Sequence, residues 1–321
     1  MSAPPGNASS SEAAPILLID AFSIFFRALH ALPPMCTRRG LPTAALYGLS
    51  ALLLKLYREQ RPAGGAFALD LARPTFRHDA YSGYKEGRAA PPSDAPAQLV
   101  LLPTLIEATG LPAFSFPSYE ADDVLATLAA EIAAAGGRPL IVSGDRDCLQ
   151  LAHGPTRVLY VARGVQAACY DAEAVRERFG VPPELLPDYA ALVGDPSDNL
   201  PGVPGIGPRT AARLLNEHGD LFKVLGNLEK LAPKDRERLR GHEEKLPFWR
   251  DLALLRTDVP LAPGPLHRPL DAATLAPLFE ELEFTSLLPR LAALSPDPAN
   301  GPSAPARPKP RAKPRAKPRA A

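Results

Sequence analysis

The sequence has little cysteine and no long apolar run. Its three cysteines, Cys36, Cys148 and Cys169, are widely spaced and never form a C-x-x-C pair, which argues against a disulfide framework or a zinc finger. No stretch of about 18 uncharged apolar residues occurs, so we expect no membrane-spanning segment and no membrane partner. The amino terminus lacks the basic start and apolar run of a signal peptide, and we expect a cytoplasmic protein. The six histidines show no H-E-x-x-H spacing, so a zinc hydrolase is not indicated.

Positive charge is concentrated near the carboxyl terminus. Residues 301–321 hold seven basic and no acidic residues in a proline-rich K-P-R-A repeat, whereas the other 300 residues have a net charge of −6. Because prolines interrupt this segment and it has few apolar residues, we expect 294–321, like 1–14, to be disordered. We expect the basic tail to assist binding to DNA phosphates; the alternative is a solubilising extension.

Short apolar segments alternate with amphipathic ones in the first half of the chain. This alternation predicts an α/β fold with a mostly parallel central sheet flanked by helices. After about residue 171 the pattern becomes helical, so we expect an α/β core at 15–175 and a helical part at 176–293. The strands are predicted at 15–19, 66–69, 111–116, 139–143 and 157–161.

Acidic residues follow the first, second and fourth predicted strands and begin the helix after the third. Because the carboxyl ends of parallel strands lie at one edge of a sheet, we expect these carboxylates to share a crevice. There they would repel one another unless cations neutralised them, and oxygen ligands favour Mg²⁺ or Mn²⁺. Two ions about 4 Å apart would suit phosphodiester hydrolysis. The residues are Asp20, Asp70, Glu120, Asp122, Asp123, Asp145 and Asp147.

Helix capping is the alternative explanation for any single acid in this set. It explains the set as a whole poorly, because Asp20 and Asp70 have no obvious helix start directly behind them.

A glycine-rich segment, G-V-P-G-I-G at 202–207, precedes a helix predicted to open at Pro208. No strand comes before it and its glycine order differs from G-x-G-x-x-G, which argues against a dinucleotide site. A helix–hairpin–helix fits better, since its backbone N–H groups bind a DNA phosphate at a helix N-terminus; an ordinary packing corner is the alternative. Asp195 and Asp198 precede the hairpin and could reach the metal cluster. The residues expected to contact DNA here are Gly202, Gly205, Gly207, Arg209 and Thr210.

Together these motifs resemble the bacterial 5′–3′ exonucleases, meaning the N-terminal nuclease domain of DNA polymerase I and the wider flap endonuclease family. The resemblance covers roughly residues 15 to 290, with the motifs in family order. The matching stretches are L-L-I-D at 17–20, F-R-H at 76–78 with Y-K-x-x-R at 84–88, Y-E-A-D-D at 119–123, G-D-R-D at 144–147, and G-D-x-x-D-N-x-P-G at 194–202 continuing into G-I-G at 205–207.

The resemblance implies a PIN-like nuclease core with two metal ions. It implies that one ion is held by four acids with two more nearby, and that the other is held directly or through water by three. The first group is Asp70, Glu120, Asp122 and Asp145, with Asp20 and Asp123; the second is Asp147, Asp195 and Asp198.

The resemblance also implies contacts to DNA. Residues 74–96 would form a helical arch through which a 5′ single strand threads, with Lys85 and Arg88 stabilising phosphate charge in the transition state. Tyr84 would stack on a base, and Arg27 and Arg77 would contact the phosphate backbone. Hairpins of this family bind K⁺ through backbone carbonyls, so we expect K⁺ here.

The function implied is that of a structure-specific 5′–3′ exonuclease or 5′-flap endonuclease in replication and repair. We expect a monomer acting on 5′ ends, flaps, nicks and RNA primers beside a separate DNA polymerase, because many relatives continue into a polymerase where this chain has a basic tail. A metal-dependent ribonuclease of PIN-like fold is one alternative, disfavoured by the hairpin and the helical half. A non-catalytic DNA-binding relative is another, disfavoured by the nearly complete acid set.

Overall fold

The computed structural model describes residues 13–71, 74–87, 90–162, 167–262 and 264–294. A six-stranded sheet lies at the centre, in the order β3-β2-β1-β4-β5-β6. The first five strands are parallel, and β6 pairs antiparallel with β5. This arrangement confirms the predicted α/β class. The strands are β1 (Ile16–Asp20), β2 (Gly64–Ala68), β3 (Ala113–Phe114), β4 (Pro139–Ser143), β5 (Arg157–Val161) and β6 (Ala167–Tyr170).

Helices cover both faces of the sheet and form most of the second half of the described chain. They are α1 (Ala21–Ala31), α2 (Ala44–Gln60), α3 (Phe76–Ala80), α4 (Ala95–Ala108), α5 (Ala121–Ala134), α6 (Ala172–Phe179), α7 (Leu186–Val193), α8 (Pro208–His218), α9 (Leu221–Gly226), α10 (Pro233–Leu239), α11 (Lys245–Ala253), α12 (Ala272–Glu281) and α13 (Leu288–Ala292).

The central strands β1 and β4 are apolar up to their last residue, as is typical of strands that are covered on both faces. Successive residues of a strand point to opposite faces, so Leu18 packs against α5 and the helical part, while Leu17 packs against α1, α2 and α4. The last helices return to that second face, where Phe279 and Phe284 are buried. The α/β core and the end of the helical part therefore share one apolar cluster.

Some sequence predictions differ from the structure or fall outside it. The strand predicted at 111–116 contains only two strand residues, and β6 was not predicted. In the described ranges, no helix is both long and apolar enough to span a bilayer. The predicted disorder of 1–14 and 294–321 falls almost wholly outside the described residues, as does the predicted role of Arg88.

Candidate metal centre and nucleic-acid interface

Strand ends bring the acidic side chains together at one edge of the sheet. Asp20 is the last residue of β1, Asp70 follows β2, and Asp145 follows β4, while Asp122 lies in the first turn of α5. All four line one cleft of about 1100 Å³, together with Glu120. The topology therefore gathers most of the predicted metal ligands where an α/β fold binds its ligand.

Two of these acids also organise the backbone around the cleft. Asp20 is the N-cap of α1, accepting a hydrogen bond from the Ser23 N–H (2.9 Å) and a second from the Ser143 hydroxyl (2.8 Å). Asp70 accepts from the N–H of Ala121, the first residue of α5 (2.9 Å). Contrary to the expectation from sequence, both residues therefore bind the start of a helix. Both nevertheless line the cleft.

Four acids, Asp20, Asp122, Asp145 and Asp147, form no salt bridge with any other described residue. The pKa of Asp20 is raised to about 7, mostly by burial and to a smaller extent by the negative charge of Asp70. The pKa values of Asp122 and Asp147 both lie well above that of an ordinary aspartate. Burial is the larger cause and the negative charge of Asp145 is the second. Since mutual repulsion and burial both disfavour the ionised forms, a cation in the cleft would stabilise these carboxylates.

The donor set fits hard divalent ions, because the cleft presents carboxylate oxygens. No three of the described His, Cys, Asp and Glu side chains are already gathered into a complete metal site. Ion binding would therefore require side chains that line the cleft to move.

Glu120 is paired with cations. Its carboxylate lies 2.8 Å from the Lys85 ammonium and 3.1 Å from the Arg77 guanidinium. Burial alone would raise the pKa of Glu120, but the charges of Lys85 and Arg77 hold it below its ordinary value. A divalent ion at Glu120 would therefore compete with Lys85.

Arg77 and Asp123 do not have the roles that the resemblance implied. The Arg77 side chain is 1% exposed and makes a two-bond pair with Asp123 (2.7 and 2.8 Å). Its other N–H groups donate to Glu120 and to the carbonyls of Leu252 and Leu254. Arg77 has no surface from which to contact a phosphate, and Asp123 has no free face for a metal. The pair instead fastens the start of the arch to α5 and to the end of α11.

Tyr84 is also buried, with 3% of its surface exposed, so the predicted stacking on a base is contradicted. Its single O–H is shared between the carboxylates of Glu120 (3.0 Å) and Asp198 (2.9 Å). Tyr84 therefore joins two acids that the family motifs assign to different ions. Lys85 next to it lines the cleft, and its predicted role at the phosphate stays a prediction.

Asp195 and Asp198 reach the cluster from the segment before the hairpin. The negative charges of Asp195 and Asp198 help to raise the pKa of Asp147. The three carboxylates are therefore close enough to repel one another. Asp195 is bound by Arg146 (2.7 Å) and by the backbone and hydroxyl of Ser197. Arg146 was missed by the sequence analysis, although its position between two acids of the G-D-R-D motif could have suggested a neutralising cation.

The glycine-rich segment is a tight hairpin between α7 and α8. Gly202 has φ +66°, and a side-chain carbon there would lie 2.4 Å from the Gly194 nitrogen, so only glycine fits. Gly205 also has a positive φ, and a Cβ there would approach the Arg238 side chain at 3.1 Å. Gly207 is different, because a side-chain carbon would meet nothing within 4 Å. Its open surroundings leave room for an external molecule.

The same turn exposes the N-terminus of α8. Gly207 is the N-cap and Pro208 the first helical residue, which has no N–H to satisfy. The first helical hydrogen bond runs from the Ala211 N–H to the Gly207 carbonyl (3.0 Å), so the N–H groups of Arg209 and Thr210 precede it. These two groups and the helix dipole suit a phosphate.

Arg27 lines the cleft from α1. One of its N–H groups donates to the Gly144 carbonyl (2.5 Å), and its side chain lines the cleft with Phe22, Phe26 and His30. This position is compatible with the predicted phosphate contact, which stays a prediction. The three neighbouring side chains were not singled out by sequence.

Comparisons with known proteins agree with this geometry. Two family models match, "5'-3' exonuclease, N-terminal resolvase-like domain" over residues 15–180 and "5'-3' exonuclease, C-terminal SAM fold" over 181–272. The chain is 42% identical over 282 residues to DNA polymerase I of Mycobacterium leprae, covering 86% of this chain and 31% of that protein. It is 41% identical over 274 residues to thermostable DNA polymerase I of Thermus aquaticus, with 85% and 32% covered. The chain thus spans about a third of the length of these curated relatives.

Solved structures share the fold. The 5'-exonuclease of T5, whose structure is described with bound divalent metal ions (zinc), matches with TM-score 0.63 and 19% identity, covering 87% of this chain and 99% of that one. The catalytic core of Rad2 in complex with a DNA substrate matches with TM-score 0.57 and 18% identity, covering 89% and 94%. At these identities the two structures support the fold.

Proposed function

The chain belongs to the 5′–3′ exonuclease family, and from this membership we propose that it is a structure-specific nuclease acting on DNA at 5′ ends, nicks and flaps, and on RNA primers. The observation that carries the proposal is a group of three carboxylates that line the cleft, those of Asp20, Asp122 and Asp145, and form no salt bridge with another described residue. Such a set is costly in a fold unless a cation completes it.

We propose Mg²⁺ or Mn²⁺ as the cofactor, with two ions. Asp70, Glu120, Asp122 and Asp145, with Asp20 beside them, would hold one ion, and Asp147, Asp195 and Asp198 the other. Bound ions of this kind activate a water molecule and stabilise the leaving oxygen of a phosphodiester. Asp123 is left out of this set because Arg77 occupies both of its oxygens.

The protein's own groups would position the DNA. The N–H groups of Arg209 and Thr210 and the open space at Gly207 would bind a duplex phosphate at the hairpin. Lys85 and Arg27 lie in the cleft and would attract the scissile phosphate. The nucleic acid would then be fixed at two points, with the cleaved bond beside the carboxylates.

The experiment is cleavage of end-labelled 5′-flap, nicked and RNA-primed duplexes in Mg²⁺ and then in EDTA, with mapping of the cut sites. We expect cleavage near the 5′ junction that EDTA abolishes, and loss of cleavage in Asp145→Ala. Asp258→Ala, an exposed aspartate outside the cleft, is the matched control. Cleavage of RNA alone would favour the ribonuclease alternative. Duplex binding without cleavage would favour the non-catalytic one.

We also propose K⁺ at the hairpin, supported by the tight glycine turn that exposes backbone groups. Duplex affinity should then be higher in KCl than in NaCl at equal ionic strength.

We further propose a cytoplasmic monomer that works with a DNA polymerase, since the curated relatives are DNA polymerases I. Sedimentation of the full chain alone tests whether it is a monomer, and sedimentation with a polymerase tests whether the two proteins bind.

A further inference from the structure

The base of the arch is tied to the loop that precedes the hairpin. The Asn199 side-chain amide donates to the Gly83 carbonyl (2.9 Å), and the Lys85 N–H donates to the Asp198 carbonyl (3.3 Å). The Tyr84 hydroxyl adds a third bond, to the Asp198 carboxylate (2.9 Å). Residues 83–85 are thus fastened to residues 198 and 199, which lie more than a hundred positions further along the chain.

Lys85 has an unfavourable backbone geometry at the point where these hydrogen bonds are made. Lys85 has φ +55° and Asn199 has φ +59°, both in the left-handed region. Asparagine enters that region readily, whereas lysine does so at a cost in free energy. Lys85 reaches Glu120 at 2.8 Å from this backbone, so the tie bears on where its ammonium lies.

The other side of the tie is continuous with the hairpin. Asp195 and Leu200 exchange backbone hydrogen bonds (2.9 and 2.8 Å), which close the loop that carries Asn199. Gly202 then packs directly on Gly194 at the other end of this loop. A movement of the hairpin on binding a phosphate would therefore be transmitted to the loop and to Asn199.

We propose that Asn199 is a positioning residue that couples duplex binding at the hairpin to the placement of Lys85 in the cleft. The proposal rests on the proposed nuclease function. Asn199 touches neither the cleft nor a metal ligand's carboxylate in the described contacts; it acts through the backbone of Gly83. Duplex DNA at the hairpin would fix the loop, and the loop would fix Lys85.

Asn199→Gly is the most informative variant, because glycine keeps the left-handed backbone and removes only the side-chain donor. Asn216→Ala is the matched control, since Asn216 is also exposed and donates to a backbone carbonyl, that of Gly180. Cleavage is measured on a 5′-flap duplex and on a single strand of the same sequence, which offers no duplex to the hairpin. We expect kcat on the flap to fall roughly 3- to 10-fold, the size of one lost hydrogen bond, with KM unchanged. The single-strand rate should stay the same.

Hydrogen exchange provides a readout that needs no cleavage. In EDTA, duplex DNA should protect the Lys85 amide in the wild type and in Asn216→Ala, and protect it less in Asn199→Gly. Equal loss of rate on both substrates would overturn the proposal, because Asn199 would then act on the cleft regardless of the hairpin. Unchanged flap kcat, or a loss confined to thermal stability and KM, would overturn it as well. If no substrate is cleaved by any variant, the proposed function fails, while the exchange result still decides the coupling.

Discussion

Replacing Arg77 by methionine should destabilise the fold, because the Arg77 side chain is buried and bonded to Asp123 rather than exposed at a DNA-binding surface. The guanidinium is 1% exposed and donates five hydrogen bonds, two of them to Asp123, which is fully buried. Methionine fills part of the volume but leaves Asp123 as an unpaired buried charge. Breaking a buried pair in this way costs about 3–5 kcal/mol. That is a large part of the roughly 5–15 kcal/mol of a typical domain.

Equilibrium unfolding in urea, with circular dichroism as the signal, measures this loss directly. At about 2–4 °C per kcal/mol for a chain of this size, the melting temperature should fall by roughly 6 to 20 °C. The double variant Arg77→Met/Asp123→Asn should recover part of the lost stability, because it also removes the unpaired negative charge of Asp123. If Arg77→Met unfolded like the wild type, and instead bound duplex DNA with a salt slope smaller by about one, Arg77 would be a surface phosphate contact and the packing argument would be wrong.

Three further predictions concern pH, the hairpin and the tail. Burial and the charge of Asp70 raise the pKa of Asp20 to about 7, so protonated Asp20 stabilises the metal-free fold at acid pH and this contribution is lost as the pH rises through 7. The free energy of urea unfolding in EDTA should therefore fall between pH 5 and pH 8, and fall less in Asp20→Asn; an equal fall in both would refute this. Gly202→Ala should lower the melting temperature because its Cβ overlaps backbone atoms, whereas Gly207→Ala should fold normally and weaken duplex binding; equal stability of the two would contradict the hairpin geometry. Deleting residues 301–321, which carry seven basic residues, should weaken DNA binding and flatten its salt dependence, and an unchanged slope would exclude a role for the tail.

The edge of the sheet could be predicted from sequence because it depends on short-range signals. An apolar strand that ends in an acid, as at Asp20 and Asp145, fixes both the strand and the location of the carboxylate. Parallel pairing then brings such ends together without further information. The antiparallel strand β6 was missed because it has only four residues and these are partly exposed. Its pairing depends on β5 rather than on its own composition.

Partners of individual side chains could not be predicted, because they depend on contacts between distant segments. Arg77 meets Asp123 and the end of α11, and its neighbours in sequence do not indicate burial. Tyr84 likewise looks like an exposed aromatic residue until Asp198 is placed beside it. Motif resemblance located these residues in the right region, and only the packing separated structural residues from those free to meet a ligand.

The distribution of charge around the acids follows from what a fold must satisfy without an ion. Arg77, Arg146 and Lys85 neutralise Asp123, Asp195 and Glu120, and the first of these pairs is wholly enclosed. Within the acid cluster, Asp20, Asp122, Asp145 and Asp147 form no salt bridge with another described residue, and the first three of these line the cleft. Negative charge is thus left uncompensated around Asp145, whereas it is cancelled in the enclosed pair of Arg77 and Asp123. Lys85 belongs to both regions, because it pairs with Glu120 and also lines the cleft. A divalent ion bound to Glu120 would weaken the pair between Glu120 and Lys85. The Lys85 ammonium could then bind a phosphate.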